Sequence, residues 1–230
     1  MEKISAIICA YNEEKTIRDV IASVDRSGIF NEIIVVNDGS TDNTQRVITD
    51  CKKEIRIADI HLPINKGKGY AMAIGIEYSS FEIIAFCDAD LSGLRNEHFL
   101  QLTKPIIENK ADMVLGQATK TLINYNFNPF KSFTGERVLL KKDILPILEN
   151  IKTSKFGVET LINLNFQSQE KRVKYVKLEG LKHPTKFDKT GQSQAIREFV
   201  LEGHQIVLTV FNNFNLISKI IKKTLVKSIS

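Results

Sequence analysis

Ile83-Ile84-Ala85-Phe86-Cys87-Asp88-Ala89-Asp90 decides the fold: a continuous apolar run stops on two carboxylates one residue apart. An unbroken run of this length fits a strand buried on both faces, as in parallel sheets covered by helices. The pattern recurs upstream. Ile4–Cys9 is an apolar run followed by Tyr11-Asn12-Glu13, and Ile33–Val36 is another, stopped by Asn37-Asp38-Gly39-Ser40-Thr41-Asp42. Between them Ile17, Val20, Ile21 and Val24 repeat at helical spacing. Further helices are expected after Ser40 or Thr41 as N-cap, over Gly69–Tyr78, and over Asn96–Asn109 despite Pro105. Ile55–Leu62 and Met113–Gly116 supply two more strands. Strands alternating with helices predict an α/β fold, a Rossmann-like, mostly parallel sheet flanked by helices. Ligands of such sheets bind outside the carboxyl ends of the strands. The polar clusters at Tyr11, Asp38 and Asp88 are therefore expected along one edge.

The remainder is less regular. Val138–Asn150 and Gly157–Phe166 read as helices, Val173–Leu178 as a strand and Gly180–Gly191 as a polar loop. From Gln192 onward one or two helices are expected. No linker, repeat or low-complexity tract divides the chain. One domain over 1–230 is predicted, with a nucleotide half at 1–116, a second-substrate half at 117–191 and a helical tail at 192–230.

Composition narrows the partners. The 230 residues are 43% hydrophobic and 26% charged, enough to bury a core. The net charge of +5 suits phosphate-bearing partners but is too small to argue for nucleic acid. Cys9, Cys51 and Cys87 are odd in number and scattered, which argues against a disulfide framework or a zinc site and for a reducing compartment. The first apolar run is shorter than a signal-peptide core. Gly203–Ser218 carries no Lys, Arg, Asp or Glu, yet His204, Gln205, Asn212, Asn213 and Asn215 interrupt it, and a span needs about 20 mostly apolar residues. A cytoplasmic protein is expected, at the inner face of the membrane if the tail meets lipid. Val207, Val210, Phe211, Phe214, Ile217 and Ile221 form a helical stripe there, followed by Lys219, Lys222, Lys223 and Lys227, with no acid after Glu202. A packed terminal helix and a basic amphipathic helix on an anionic membrane are the two readings. The expectation is a mixture, with the apolar start packed and the basic end near lipid or free.

Several residue groups point to chemistry. Asp88 and Asp90 at a strand end, with the small Ala89 between them, offer oxygen ligands to Mg²⁺ or Mn²⁺, which can bridge a diphosphate. An acidic turn is the plain alternative. Asp38 at a strand tip can accept hydrogen bonds from a base or ribose, although Asn37-Asp38-Gly39-Ser40 is also what any turn prefers. Asn65-Lys66-Gly67-Lys68-Gly69 places two glycines and two cations before a helix, a suitable seat for phosphate oxygens. It is neither a Walker loop nor a dinucleotide fingerprint. His183 in a polar loop can complete a metal site, with Lys186 and Lys189 supplying charge to phosphate. Glu159, alone in an apolar helical stretch, is a candidate general base. Arg137 can grip a carboxylate or phosphate, or pair with Glu136 or another acid.

Cys9-Ala10-Tyr11-Asn12-Glu13, Asn37-Asp38-Gly39-Ser40-Thr41-Asp42, Asn65-Lys66-Gly67-Lys68-Gly69 and Asp88-Ala89-Asp90, in that order, resemble the family 2 glycosyltransferases of GT-A fold. The likeness continues through Thr134-Gly135-Glu136-Arg137, Phe156-Gly157-Val158-Glu159 and His183-x-x-Lys186, and ends near Gly191. It looks closest to the branch of dolichyl-phosphate mannose synthase-like and glucosyl-3-phosphoglycerate synthase-like enzymes. The resemblance implies that Ala10, Tyr11 and Glu13 line a nucleotide pocket, with Asp38 on the base or ribose and Lys66 and Gly67 over the nucleotide. It further implies that Asp88, Ala89 and Asp90 hold the sugar side and the metal, with His183 as an added ligand. Cys9 replaces a usual proline, and Thr134-Gly135-Glu136-Arg137 departs from the usual Ser-Gly-Gln-Arg.

The expected function is metal-dependent transfer from a UDP- or GDP-sugar to a phosphate-bearing acceptor, a polyprenyl phosphate or a small phosphorylated acid. A sugar-1-phosphate nucleotidylyltransferase is an alternative, but it calls for a Gly-rich, Arg-containing loop where Ala10-Tyr11-Asn12-Glu13 stands. A non-catalytic nucleotide-binding adaptor at the membrane surface is the other; it predicts that Asp90→Asn leaves the cellular role intact.

Overall fold

The structure, a computed structural model, describes residues 2–118, 135–181 and 203–229. Strands β1 (Ile4–Ala10), β2 (Glu32–Asn37), β3 (Ala58–His61), β4 (Ile83–Asp88), β5 (Met113–Ala118), β6 (Arg137–Leu140) and β7 (Val173–Leu178) form one sheet in the order β3-β2-β1-β4-β6-β5-β7. The helices are α1 (Ile17–Arg26), α2 (Thr44–Cys51), α3 (Lys68–Tyr78), α4 (Asn96–Ile107), α5 (Lys141–Ile144), α6 (Leu148–Thr153) and α7 (Val158–Ser168). Residues 203–212 form α8 and Phe214–Ile229 form α9.

The central strand shows why apolar runs, rather than alternation, mark this sheet. Ala6 and Ile8 of β1 point into one layer with Val20 and Val24 of α1 and Phe99 of α4. Ile7 points into the opposite layer with Met72 and Ile76 of α3 and Phe166 of α7. Both faces are covered, so every position is apolar or small. Burying one side chain the size of Phe166 contributes about 1.5–3 kcal/mol.

β1, β2, β3 and β4 are mutually parallel neighbours, with Ala10 opposite Asn37 and Cys9 opposite Asp88. This register brings the ends of β1, β2 and β4 level. The polar clusters at those strand ends share one edge, as the strand–helix alternation predicts.

Residues 138–140 depart from the sequence expectation. They are not helical: Arg137–Leu140 is a strand, antiparallel to both β4 and β5, and helix begins only at Lys141. Val138 faces one apolar layer and Leu139 the other, which is strand alternation hidden in an apolar run. β6 stitches the 1–116 segment to the later chain, so the two halves share one sheet. α4 tolerates Pro105 in its last turn and stops at Ile107, two residues short of the expected end, where Asn109 takes a left-handed conformation with φ 52°. β3 is shorter than Ile55–Leu62. His183, Lys186 and Lys189, with Thr134 and the tail before residue 203, lie outside the described residues.

Candidate active site

The loops after β1 and β2 lock together. Asn12, at φ 57°, donates its backbone N–H to Ser40 Oγ at 2.9 Å, and its Oδ1 accepts the Thr41 N–H at 2.8 Å. The Glu13 N–H donates to Thr44 Oγ1 at 2.8 Å, and Glu14 Oε2 accepts from Asn43. Tyr11 stands exposed on this rim and Glu13 is half-buried, its Oε2 accepting from Thr16 Oγ1 at 3.2 Å. Ala10 and Ala89 are buried beneath the rim and belong to an apolar layer.

Asp38 fastens the next loop. Its two carboxylate oxygens accept the backbone N–H groups of Lys66 and Gly67, each at 2.8 Å. Burial pushes this carboxyl above its ordinary value, while those two hydrogen bonds and the Lys66 charge pull the other way. Gly67 is buried at φ 97°, and the Lys66 side chain is exposed.

Lys68, the first residue of α3, reaches inward. Its Nζ lies 2.9 Å from Asp88 Oδ1 and 2.7 Å from Glu159 Oε1. A lysine at a helix N-terminus opposes the helix dipole, so only such partners make the placement favourable. Glu159 sits in the first turn of α7, where the dipole favours an acid. Burial alone would lower Lys68; the charges of Asp88 and Glu159 outweigh it and hold the ammonium well above its ordinary value. Two more charges complete the cluster. Glu136 is buried, and its Oε1 accepts the Asp88 N–H at 3.4 Å.

Arg137 is fully buried in β6. Burial lowers its guanidinium, against the pull of Glu159, Asp88 and Glu136. From that position its charge acts on those acids rather than projecting from the surface. Among the described residues the cluster thus sets three carboxylates, Asp88, Glu136 and Glu159, against two cations, Lys68 and Arg137. Asp90 is half-buried in the turn beyond β4.

Asp88 also dictates the residue facing it. A Cβ at Gly135 would collide with the Asp88 carboxylate. Gly135→Ala is expected to displace that carboxylate, lowering the melting temperature by a few degrees through about 1–3 kcal/mol of overpacking. It should also weaken Mn²⁺ binding at this sheet edge at least about tenfold, read by calorimetric titration. Unchanged titration curves would separate Asp88 from ligand binding.

Among the described residues no group of three His, Cys, Asp or Glu side chains is arranged to hold a metal ion. Asp88 and Asp90 nevertheless suit Mg²⁺ or Mn²⁺, which take few protein oxygens and complete their shell with water and phosphate. The cysteines are poor nucleophiles here. Burial, with smaller contributions from Asp88 and Asp38 and against the Lys68 charge, pushes the Cys9 thiol up to about 12, and Cys87 is likewise raised by burial.

The model of glycosyl transferase family 2 matches residues 5–202. The chain belongs to that family. A dolichyl-phosphate beta-glucosyltransferase of Trichomonas vaginalis is 34% identical over 145 residues, covering 56% of this chain and 43% of that protein. A poly-beta-1,6-N-acetyl-D-glucosamine synthase of Staphylococcus epidermidis is 40% identical over 91 residues, 39% of this chain and 22% of that one. The chain thus spans less than half the length of either relative.

Among solved structures, glucosyl-3-phosphoglycerate synthase from Mycobacterium tuberculosis in complex with Mn²⁺, UDP and glucosyl-3-phosphoglycerate superposes with a TM-score of 0.72. It is 19% identical, over 92% of this chain and 79% of that one. Likeness at this identity shows the fold, which is the GT-A fold. The family 2 chain thus has the sheet architecture that its ordered motifs imply.

The sequence alone gives no role to Glu136, which enters it only as part of Thr134-Gly135-Glu136-Arg137, or to Lys68. The Lys68 loop draws notice, but Lys66 takes the phosphate role there. The local signal for Lys68 was its place at the start of a helix, against the dipole; its partners lie 20 and 91 residues away.

Proposed function

We propose that this protein transfers a sugar from a nucleoside diphosphate sugar, UDP- or GDP-linked, to a phosphate-bearing acceptor, with Mg²⁺ or Mn²⁺ as cofactor. The observation that carries the reading is the Lys68 bridge between Asp88, at the end of β4, and Glu159, on α7. It joins the edge where the nucleotide loops meet to the segment beyond β6, as a reaction between two substrates requires. Family membership supports the reaction class. The complexes of the mycobacterial synthase, which contain UDP-glucose, Mn²⁺ and phosphoglyceric acid or glycerol 3-phosphate, support the cofactor and the acceptor class.

In this proposal Ala10, Tyr11 and Glu13 border the nucleotide, and Asp38 positions Lys66 and Gly67 over it. Asp88 and Asp90 hold the cation, with His183 as a further ligand and Lys186 directed to phosphate. A cation held there would supply stabilisation of the charge that develops on the departing diphosphate. Lys66 adds to that field from the exposed side. Arg137 supports the carboxylates from the interior. Glu159 takes the proton when the acceptor is a hydroxyl; a phosphate acceptor is already anionic and makes little demand on it.

Calorimetric titration with UDP and GDP, with and without Mn²⁺, tests the reading. One nucleotide is expected to bind with Mn²⁺ and to lose at least about tenfold in affinity in Asp90→Asn. If neither binds, the proposal fails.

A further inference from the structure

The tail divides differently from the sequence expectation. Its apolar start is not wholly packed. Thr209 is the buried contact, set against Gly157, and Ile206, Leu216, Ile217 and Ile220 are half-buried. Lys223 Nζ donates to the Ser168 carbonyl at 3.0 Å, so the tail runs alongside α7 from one end to the other. The opposite face is open. Phe211 is 77% exposed, Phe214 65%, Val207 64% and Ile221 50%, with Leu208 exposed beside them. Positions 207, 211, 214, 218 and 221 succeed one another at helical spacing. A ridge holding two phenylalanines exceeds the scattered apolar exposure normal for a folded surface.

We propose that the outward face of α8 and α9 docks on an anionic lipid bilayer. Charge selects this occupant. Residues 203–230 contain Lys219, Lys222, Lys223 and Lys227 and no acid. Lys219 and Lys222 are exposed, while Lys223 turns its Nζ to the Ser168 carbonyl. Apolar side chains entering the interface while lysines reach the headgroups is the chemistry of an interfacial helix. A two-fold contact with a second copy would instead bring the same lysines together with no acid from this segment to offset them. Among the described residues no helix is long and apolar enough to cross a membrane.

The close approach of Thr209 to Gly157 places the start of α7, two residues before Glu159, on this side of the molecule.

Sedimentation with phosphatidylcholine vesicles, with and without phosphatidylglycerol, tests the docking, and it needs no nucleotide. A failure here therefore leaves the donor titration standing. Wild type is expected to pellet with the anionic vesicles and remain in solution with the neutral ones. Phe211→Ser with Phe214→Ser should lower partitioning at least about tenfold at unchanged melting temperature. Lys219→Gln with Lys222→Gln should lower it about fivefold per lysine. The proposal is overturned by absence of pelleting with anionic vesicles, or by equal pelleting of the phenylalanine variant. A large fall in that variant's melting temperature also overturns it, because the chain itself would then cover the ridge. So does a dimer in velocity sedimentation that the same variant abolishes without any vesicle binding.

Discussion

Asp88→Asn is expected to slow release of nucleoside diphosphate from the sugar donor by about 10²–10³-fold, the usual effect of removing one group that stabilises developing charge. The substitution keeps the side chain's shape and removes its charge. Lys68 retains Glu159 at 2.7 Å, and the backbone N–H at position 88 retains Glu136, so the fold should persist. The loss should appear in kcat at saturating nucleotide and should deepen as the divalent cation is diluted. Turnover within about threefold of wild type would mean that Asp88 serves only as the partner of Lys68. The cation would then have to be held elsewhere.

How much the sequence discloses depends on range. Ile83–Cys87 and Ile4–Cys9 announce buried parallel strands because every neighbour they need is apolar, whichever strand supplies it. The polar clusters behind them are then placed by a general property of parallel sheets, without knowledge of any particular contact. Val138-Leu139-Leu140 fails this logic. Its strand state depends on insertion between β4 and β5, pairings that reach back to Ile83–Phe86 and Met113–Leu115, and it runs directly into a helix. Local propensity and length could not separate the two. Lys68 is hidden for the same reason, since the carboxylates that draw it inward come from β4 and α7. In the tail, periodicity reveals that a stripe exists but not what it faces. Only the packing of Thr209 and Leu216 shows that Phe211 and Phe214 point away from the domain.

Lys68→Met should be the most informative change in stability. It removes one of the two cations that the described residues set beside Asp88, Glu136 and Glu159. Breaking a fully buried ion pair costs about 3–5 kcal/mol. The Lys68 side chain is 26% exposed, and solvent screening brings the expected loss to about 2 kcal/mol, or about 4–8 °C in melting temperature at this chain length. The pH sign is fixed by the direction of the shift. A lysine held above its ordinary value contributes its full stability below the unfolded value near about 10.4, and loses it only as pH rises through the higher folded one. The gap between variant and wild type should therefore be flat from about pH 7 to about pH 9.

Mn²⁺ supplies the decisive comparison. On the function proposed above, the ammonium and a divalent cation compete for the Asp88 carboxylate, so removing the ammonium should raise metal affinity and let Mn²⁺ stabilise Lys68→Met more than wild type. Lys68→Arg keeps a cation in place and should behave like wild type in this respect. Equal Mn²⁺ stabilisation of wild type and Lys68→Met would show that lysine and metal do not share Asp88. The bridge between Asp88 and Glu159 would then be a strut between β4 and α7 rather than the resting state of a metal site.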